Sequence, residues 1–72
     1  MNLDCTGMRC PKPVIELARA AKVAAPGTII RISTDDPAAA VDIPAWCRMR
    51  RHACTVLSDC AGTLTHQVVL GG

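Results

Sequence analysis

Phenylalanine and tyrosine are absent from this chain, and Trp46 is its one large aromatic residue. Half of the residues are apolar all the same. The interior must therefore be filled by Val, Ile, Leu, Ala, Met and Cys, which suits two close-packed layers. The shortage of rings also removes the platforms on which single-stranded nucleic acid stacks its bases. Long apolar runs are lacking too. Val23 to Ala25 and Val68 to Leu70 fall far short of the ~20 residues of a membrane helix, so no membrane insertion is expected. The amino terminus, Met1-Asn2-Leu3-Asp4, has neither the basic nor the apolar region of a secretory signal, which makes the reducing cytoplasm the expected location.

The cysteines repeat this pattern of absences. No Cys-x-x-Cys occurs, and the count of five is odd, so a disulfide framework is not the expected architecture. Cys5-x4-Cys10, Cys54-x5-Cys60 and His52-x-Cys54 lack the paired short spacings of structural zinc sites, and no metal is expected. A net charge of +2 is too small to argue for nucleic acid by itself. Arg48, Arg50, Arg51 and His52 do form a local basic cluster. Its simplest role is to complement the negative end of a helix dipole; the alternative is the contact surface of a nucleic-acid-binding or regulatory module.

What is present organises into one domain over residues 1–72, because a chain this short removes only roughly 60% of its unfolded surface from water. Asn2 to Cys5 reads as a short strand, and Gly7 marks the loop that follows. A helix is expected to open near Cys10, with Pro11 at the first helical position and Pro13 tolerated inside the first turn. Val14, Leu17, Ala18, Ala21, Ala24 and Ala25 form its apolar face, opposite Glu16, Arg19 and Lys22. Pro26-Gly27 ends it, and Thr28 to Thr34 reads as a strand. Asp36-Pro37 starts a second helix, which Pro44 is expected to kink or restart and which runs to about Arg51.

Ala53 to Cys60 and Thr63 to Leu70 are two further strands joined by Ala61-Gly62, a hairpin spacing in which Ala at a positive φ is unusual. Leu64, His66, Val68 and Leu70 share one face of the last strand. The order is β-α-β-α-β-β. Right-handed crossovers make the first three strands parallel and the hairpin makes the fourth antiparallel. The expected fold is thus an α/β two-layer sandwich, a four-stranded mixed sheet covered on one face by two helices.

Cys10 is the candidate for chemistry. At a helix start its sulfur would lie near the positive end of the dipole, flanked by Arg9 and Lys12, and both effects favour thiolate over thiol. Pro11 and Pro13 each remove a first-turn N–H, leaving Lys12 as the main backbone donor there, and in exchange stiffen the presentation of the sulfur. A buried structural cysteine beside an ordinary proline start fits the position alone equally well.

Leu3-Asp4-x-x-Gly7-x-x-Cys10-Pro11-x-Pro13 resembles the Cys-Pro-x-Pro signature of the TusA/SirA-like sulfur carrier family. A second block, Asp35-Asp36-Pro37 followed by Asp42-Ile43-Pro44-x-Trp46-Cys47, is similar to the family's at the usual distance, and the resemblance spans nearly the whole chain. It implies a sulfurtransferase component that accepts a sulfane sulfur on Cys10 as a persulfide. The donor would be a cysteine desulfurase or a rhodanese-like protein, and the receiver a downstream acceptor protein in tRNA thiolation, cofactor sulfuration or sulfur oxidation. Such a carrier needs no cofactor beyond the covalent persulfide and no direct nucleic-acid contact. Asp4 and Gly7 then shape the loop leading to Cys10, Asp36 and Pro37 cap the second helix, Asp42 is a helix charge or a docking residue, and Trp46 is core or a partner contact.

The remaining cysteines have simpler roles. Cys47 is expected in the core, and Cys54 and Cys60, an even number apart, are expected to share a buried face. Cys5 is core, or a thiol that resolves the persulfide. A redox role would need Cys5 or Cys47 within ~7 Å of Cys10. His66, on an apolar face, is expected to be a hydrogen-bonded strand residue.

Overall fold

The computed structural model describes residues 1–9 and 11–71; Cys10 and Gly72 lie outside the described residues. The elements are β1 (Asn2–Asp4), α1 (Lys12–Val23), β2 (Ile29–Thr34), α2 (Pro37–Arg50), β3 (Ala53–Cys60) and β4 (Thr63–Val69). The sheet order is β1-β2-β4-β3. β1 and β2 are parallel, and β4 is antiparallel to both β2 and β3. The expected two-layer arrangement is the one found.

The registers set the core. Leu3, Ile32, His66 and Val56 form one row across the sheet, and Ile30, Val68 and Cys54 form the row beside it. Ile30, Ile32, His66 and Val68 are buried, together with Leu17 of α1 and Ala39, Ile43, Trp46 and Cys47 of α2. Both helices therefore cover this face. The opposite face carries Arg31, Ser33, Thr65 and Gln67, none of them buried.

Three local expectations are corrected. Pro11 is the N-cap of α1, not its first helical residue; Lys12 is first and Pro13 second. α1 also stops at Val23, so Ala24 and Ala25 fall beyond it, and Ala25 is exposed. Pro44 neither ends nor restarts α2, which runs unbroken from Pro37 to Arg50. Its missing N–H and ring clash cost about 3 kcal/mol in an isolated helix. Ala39 and Ile43 before the proline and Trp46 and Cys47 after it are all buried, and holding both pairs against the sheet outweighs that cost.

The third correction concerns β3. Its pairing with β4 slips between Val56 and Ser58, leaving Leu57 as a bulge. An extra residue reverses the alternation of faces beyond it. Cys54 lies opposite buried Val68, whereas Cys60 lies opposite Thr63 on the outer face and is exposed. The two cysteines do not share a face. The hairpin itself forms at Ala61-Gly62 with φ of 52° and 81°, the two positive values a type I′ turn demands.

Candidate functional site

The loop between β1 and α1 is held by hydrogen bonds at several points. The Asp4 Oδ1 accepts from the Thr6 N–H at 3.1 Å and from the Thr6 hydroxyl at 2.6 Å. These bonds hold the Asp4 carboxyl below its usual range, the hydroxyl contributing most. The Cys5 N–H donates to the Ser33 carbonyl at 2.8 Å, prolonging the β1–β2 ladder by one step. Gly7 turns the chain with φ of 81°, a region that costs a side chain about 1–2 kcal/mol. Its N–H donates to the Asp35 Oδ1 at 2.9 Å. Met8 then bonds back to the Cys5 carbonyl at 3.2 Å.

Asp35 was quoted above as part of a motif and given no task. The structure gives it one, as the side chain that ties this loop to the end of β2. The signal available in the sequence was the Asp35-Asp36 doublet before Pro37: a helix needs only one N-cap, so the other carboxylate was left over.

Beyond Met8 come exposed Arg9, exposed Pro11 and exposed Lys12, with Pro13 buried beneath the helix start. The Cys10 thiol itself, and the expected opening of the helix at Cys10, lie outside the described residues. The first turn of α1 contains no acidic residue, and its N-cap makes no side-chain hydrogen bond. The Lys12 N–H donates to the Arg9 carbonyl at 2.8 Å, so the backbone donor assigned above to the sulfur already has a partner. What the described residues offer is the positive end of the dipole and the charges of Arg9 and Lys12.

The other thiols sit in different surroundings. Burial, then Glu16 and Asp4, raises the pKa of Cys5. Burial pushes Cys47 up to about 12, with the neighbouring Cys54 thiol, to which it is hydrogen-bonded, adding to the rise. Burial raises Cys54 as well, against a lowering contribution from that same hydrogen bond. A thiol held protonated is a poor nucleophile. Cys60 is exposed, but its chain neighbours Ser58, Asp59, Ala61 and Gly62 include no cation.

The remaining candidates do not join the loop. Trp46 is buried and lines a groove with Ile15, Lys22 and Arg50, toward the C-terminal halves of both helices. Asp42 is half-buried midway along α2. Arg48, Arg50 and Arg51 are all exposed, and Arg51 adopts the left-handed conformation (φ 61°) that closes α2. His66 departs from expectation: it is buried, yet among the described residues neither ring nitrogen has a hydrogen-bond partner, and the Thr34 hydroxyl two positions from its Ile32 partner is orphaned likewise. The apolar row that buries the imidazole offers it nothing to bond to. Among the described residues no group of His, Cys, Asp or Glu could hold a metal ion, and no helix is long and apolar enough to cross a membrane.

Known proteins match along almost the whole chain. The crystal structure of a SirA-like protein from Desulfitobacterium hafniense superposes with a TM-score of 0.85, covering 99% of this chain and 97% of that one at 21% identity. That likeness establishes the fold. Residues 1–70 match the family model described as Sulfurtransferase TusA, a family whose members point to sulfur carriage. By that match over residues 1–70 the chain belongs to the TusA sulfurtransferase family.

Proposed function

We propose that this protein is a sulfur carrier whose cargo rides on Cys10 as a persulfide. The Cys10 thiolate attacks the terminal sulfur of a donor persulfide; the donor's S–S bond breaks, its thiolate leaves, and Cys10 keeps the sulfur as S–SH. An acceptor thiolate then attacks that outer sulfur; the S–S bond to Cys10 breaks, Cys10 leaves as a thiolate, and the acceptor keeps the sulfur. No net oxidation occurs in either step, so neither needs a metal or a cofactor. A cysteine desulfurase or rhodanese-like protein serves as donor and a downstream protein as acceptor. A reducing cytoplasm suits this chemistry, since the cargo is itself reducible.

The observation that carries the reading is the loop. It is pinned by Asp4 and Asp35, bears exposed Arg9 and Lys12 on either side of residue 10, and leads into a helix with no acidic residue in its first turn. Together these supply a fixed loop in which the charges of Arg9 and Lys12 and the helix dipole favour a thiolate. The raised pKa values of Cys5, Cys47 and Cys54 support it from the other side, because they disfavour sulfur uptake elsewhere.

Intact-mass spectrometry after incubation with a cysteine desulfurase and cysteine tests it. One added sulfur atom, mapped to the peptide holding Cys10 and absent from Cys10→Ser, is the expected result. Sulfur on the other cysteines, or none from either donor class, would sink the proposal.

A further inference from the structure

The groove between α1 and α2 is lined by no described residue of the β1–α1 loop, and its lining is chemically one-sided. Its volume is ≈ 430 Å³, within the roughly 300–1,000 Å³ of small-molecule sites. Ile15, Ala18 and Trp46 contribute apolar surface, and Arg19, Lys22 and Arg50 contribute three positive charges. No carboxylate is among the lining residues. Arg19 is engaged by Glu16 at 3.4 Å, and no acidic residue joins Lys22 and Arg50 in the lining.

His52 adds a directional group. Its Nδ1 accepts a hydrogen bond from the Gly71 N–H at 2.9 Å. In the neutral ring the proton then resides on Nε2, which is left as a donor. The ring tilts against Trp46, with centroids 5.1 Å apart, and both residues line the groove. An apolar recess with a few convergent donors and charges of one sign is the usual form of a site that orients a small amphipathic ligand.

We propose that this groove binds a small organic anion with an apolar tail, the tail against Ile15 and Trp46 and the head among Lys22, Arg50 and His52. Charge complementarity fixes the sign of the head, and the floor selects the tail. The site is separate from the Cys10 loop, so it stands or falls independently of sulfur carriage.

Three probes sharing one tail test it: octanoate, octanamide and octylammonium, each titrated while the fluorescence of Trp46 is followed. Because Trp46 is the only tryptophan and lines the groove, the signal comes from this residue, and unchanged circular dichroism distinguishes binding from unfolding. Octanoate should saturate, with octanamide and octylammonium at least about tenfold weaker, the equivalent of ~1.4 kcal/mol. Lys22 and Arg50 are exposed, so the double variant Lys22→Glu/Arg50→Glu should keep its circular dichroism and reverse the order, favouring octylammonium. Cys10→Ser should bind octanoate as the unmodified protein does. An equal response to all three heads, a response that does not saturate, or an octanoate affinity untouched by the charge reversal would overturn the proposal.

Discussion

The two helices begin with nearly the same chemistry and end up with different electrostatics. α2 opens on Asp36, whose carboxylate accepts from the Ala38 N–H at 3.2 Å, and Pro37 follows at its first position. α1 opens on Pro11, which has no side-chain acceptor to offer, and Pro13 follows at its second position. Proline supplies the helical φ in both. In α2 a negative charge occupies the positive end of the dipole, a stabilising use of that end. In α1 the first turn holds no acidic residue, and the N-cap makes no side-chain hydrogen bond. The difference teaches that a proline start can come with a carboxylate cap or without one.

The largest effects should show that the contrast is confined to the ends. Leu17→Ala in α1 and Ile43→Ala in α2 both delete fully buried side chains and should each cost about 2–5 kcal/mol in urea unfolding. A much milder loss in α1 would mean that the whole helix, and not its first turn alone, is loosely held.

His66, beneath the helical layer, comes next. Burial holds its pKa below the ordinary imidazole value, so between the two values the unfolded chain binds the proton more readily. Stability should thus be full above about pH 6.5 and fall as the pH drops toward the folded value. His66→Leu removes two unpartnered nitrogens; it should raise stability by about 1–3 kcal/mol and flatten this slope between about pH 8 and about pH 5. A variant that is less stable and keeps the slope would show that the imidazole has a partner after all.

At the helix starts themselves, Asp36→Ala should cost about 1 kcal/mol, whereas Pro11→Ala, losing no side-chain cap, should cost less. Equal losses would erase the contrast. The smallest stability effect, and the sharpest test, is Lys12→Glu. A carboxylate at the first position of α1 should add about 0.3–1 kcal/mol while slowing alkylation of Cys10 at neutral pH severalfold. Stability and reactivity moving in the same direction would refute the idea that α1 is left open for the thiol.

These contrasts were only partly legible in the residues. The period of Val14, Leu17, Ala18 and Ala21 and the even spacing of His66 and Val68 carry the layer order and the inward faces, because burial is a property of pattern. The Leu57 bulge escaped because no glycine or proline marks it, and with it went the facing of Cys60. Pro44 misled for the opposite reason: a strong local signal was outweighed by burial on both sides of it. In the loop, Gly7 was readable from its type, since a positive φ favours glycine, whereas Asp4 was readable only through the family resemblance. The Asp35 bond to Gly7 spans 28 positions, and no local rule reaches that far. The lack of partners for His66 is likewise set by the rows above it and not by its neighbours in the chain.

The Leu57 bulge also bears on how the molecule meets its own kind. β3 is an outer strand of the sheet, and Val56 and Leu57, at 54% and 48% exposure, would make an unbroken edge sticky. The interruption divides the strand into Ala53–Val56 and Ser58–Cys60, each too short to zip alone against a second copy. A border interrupted in this way resists becoming a seam.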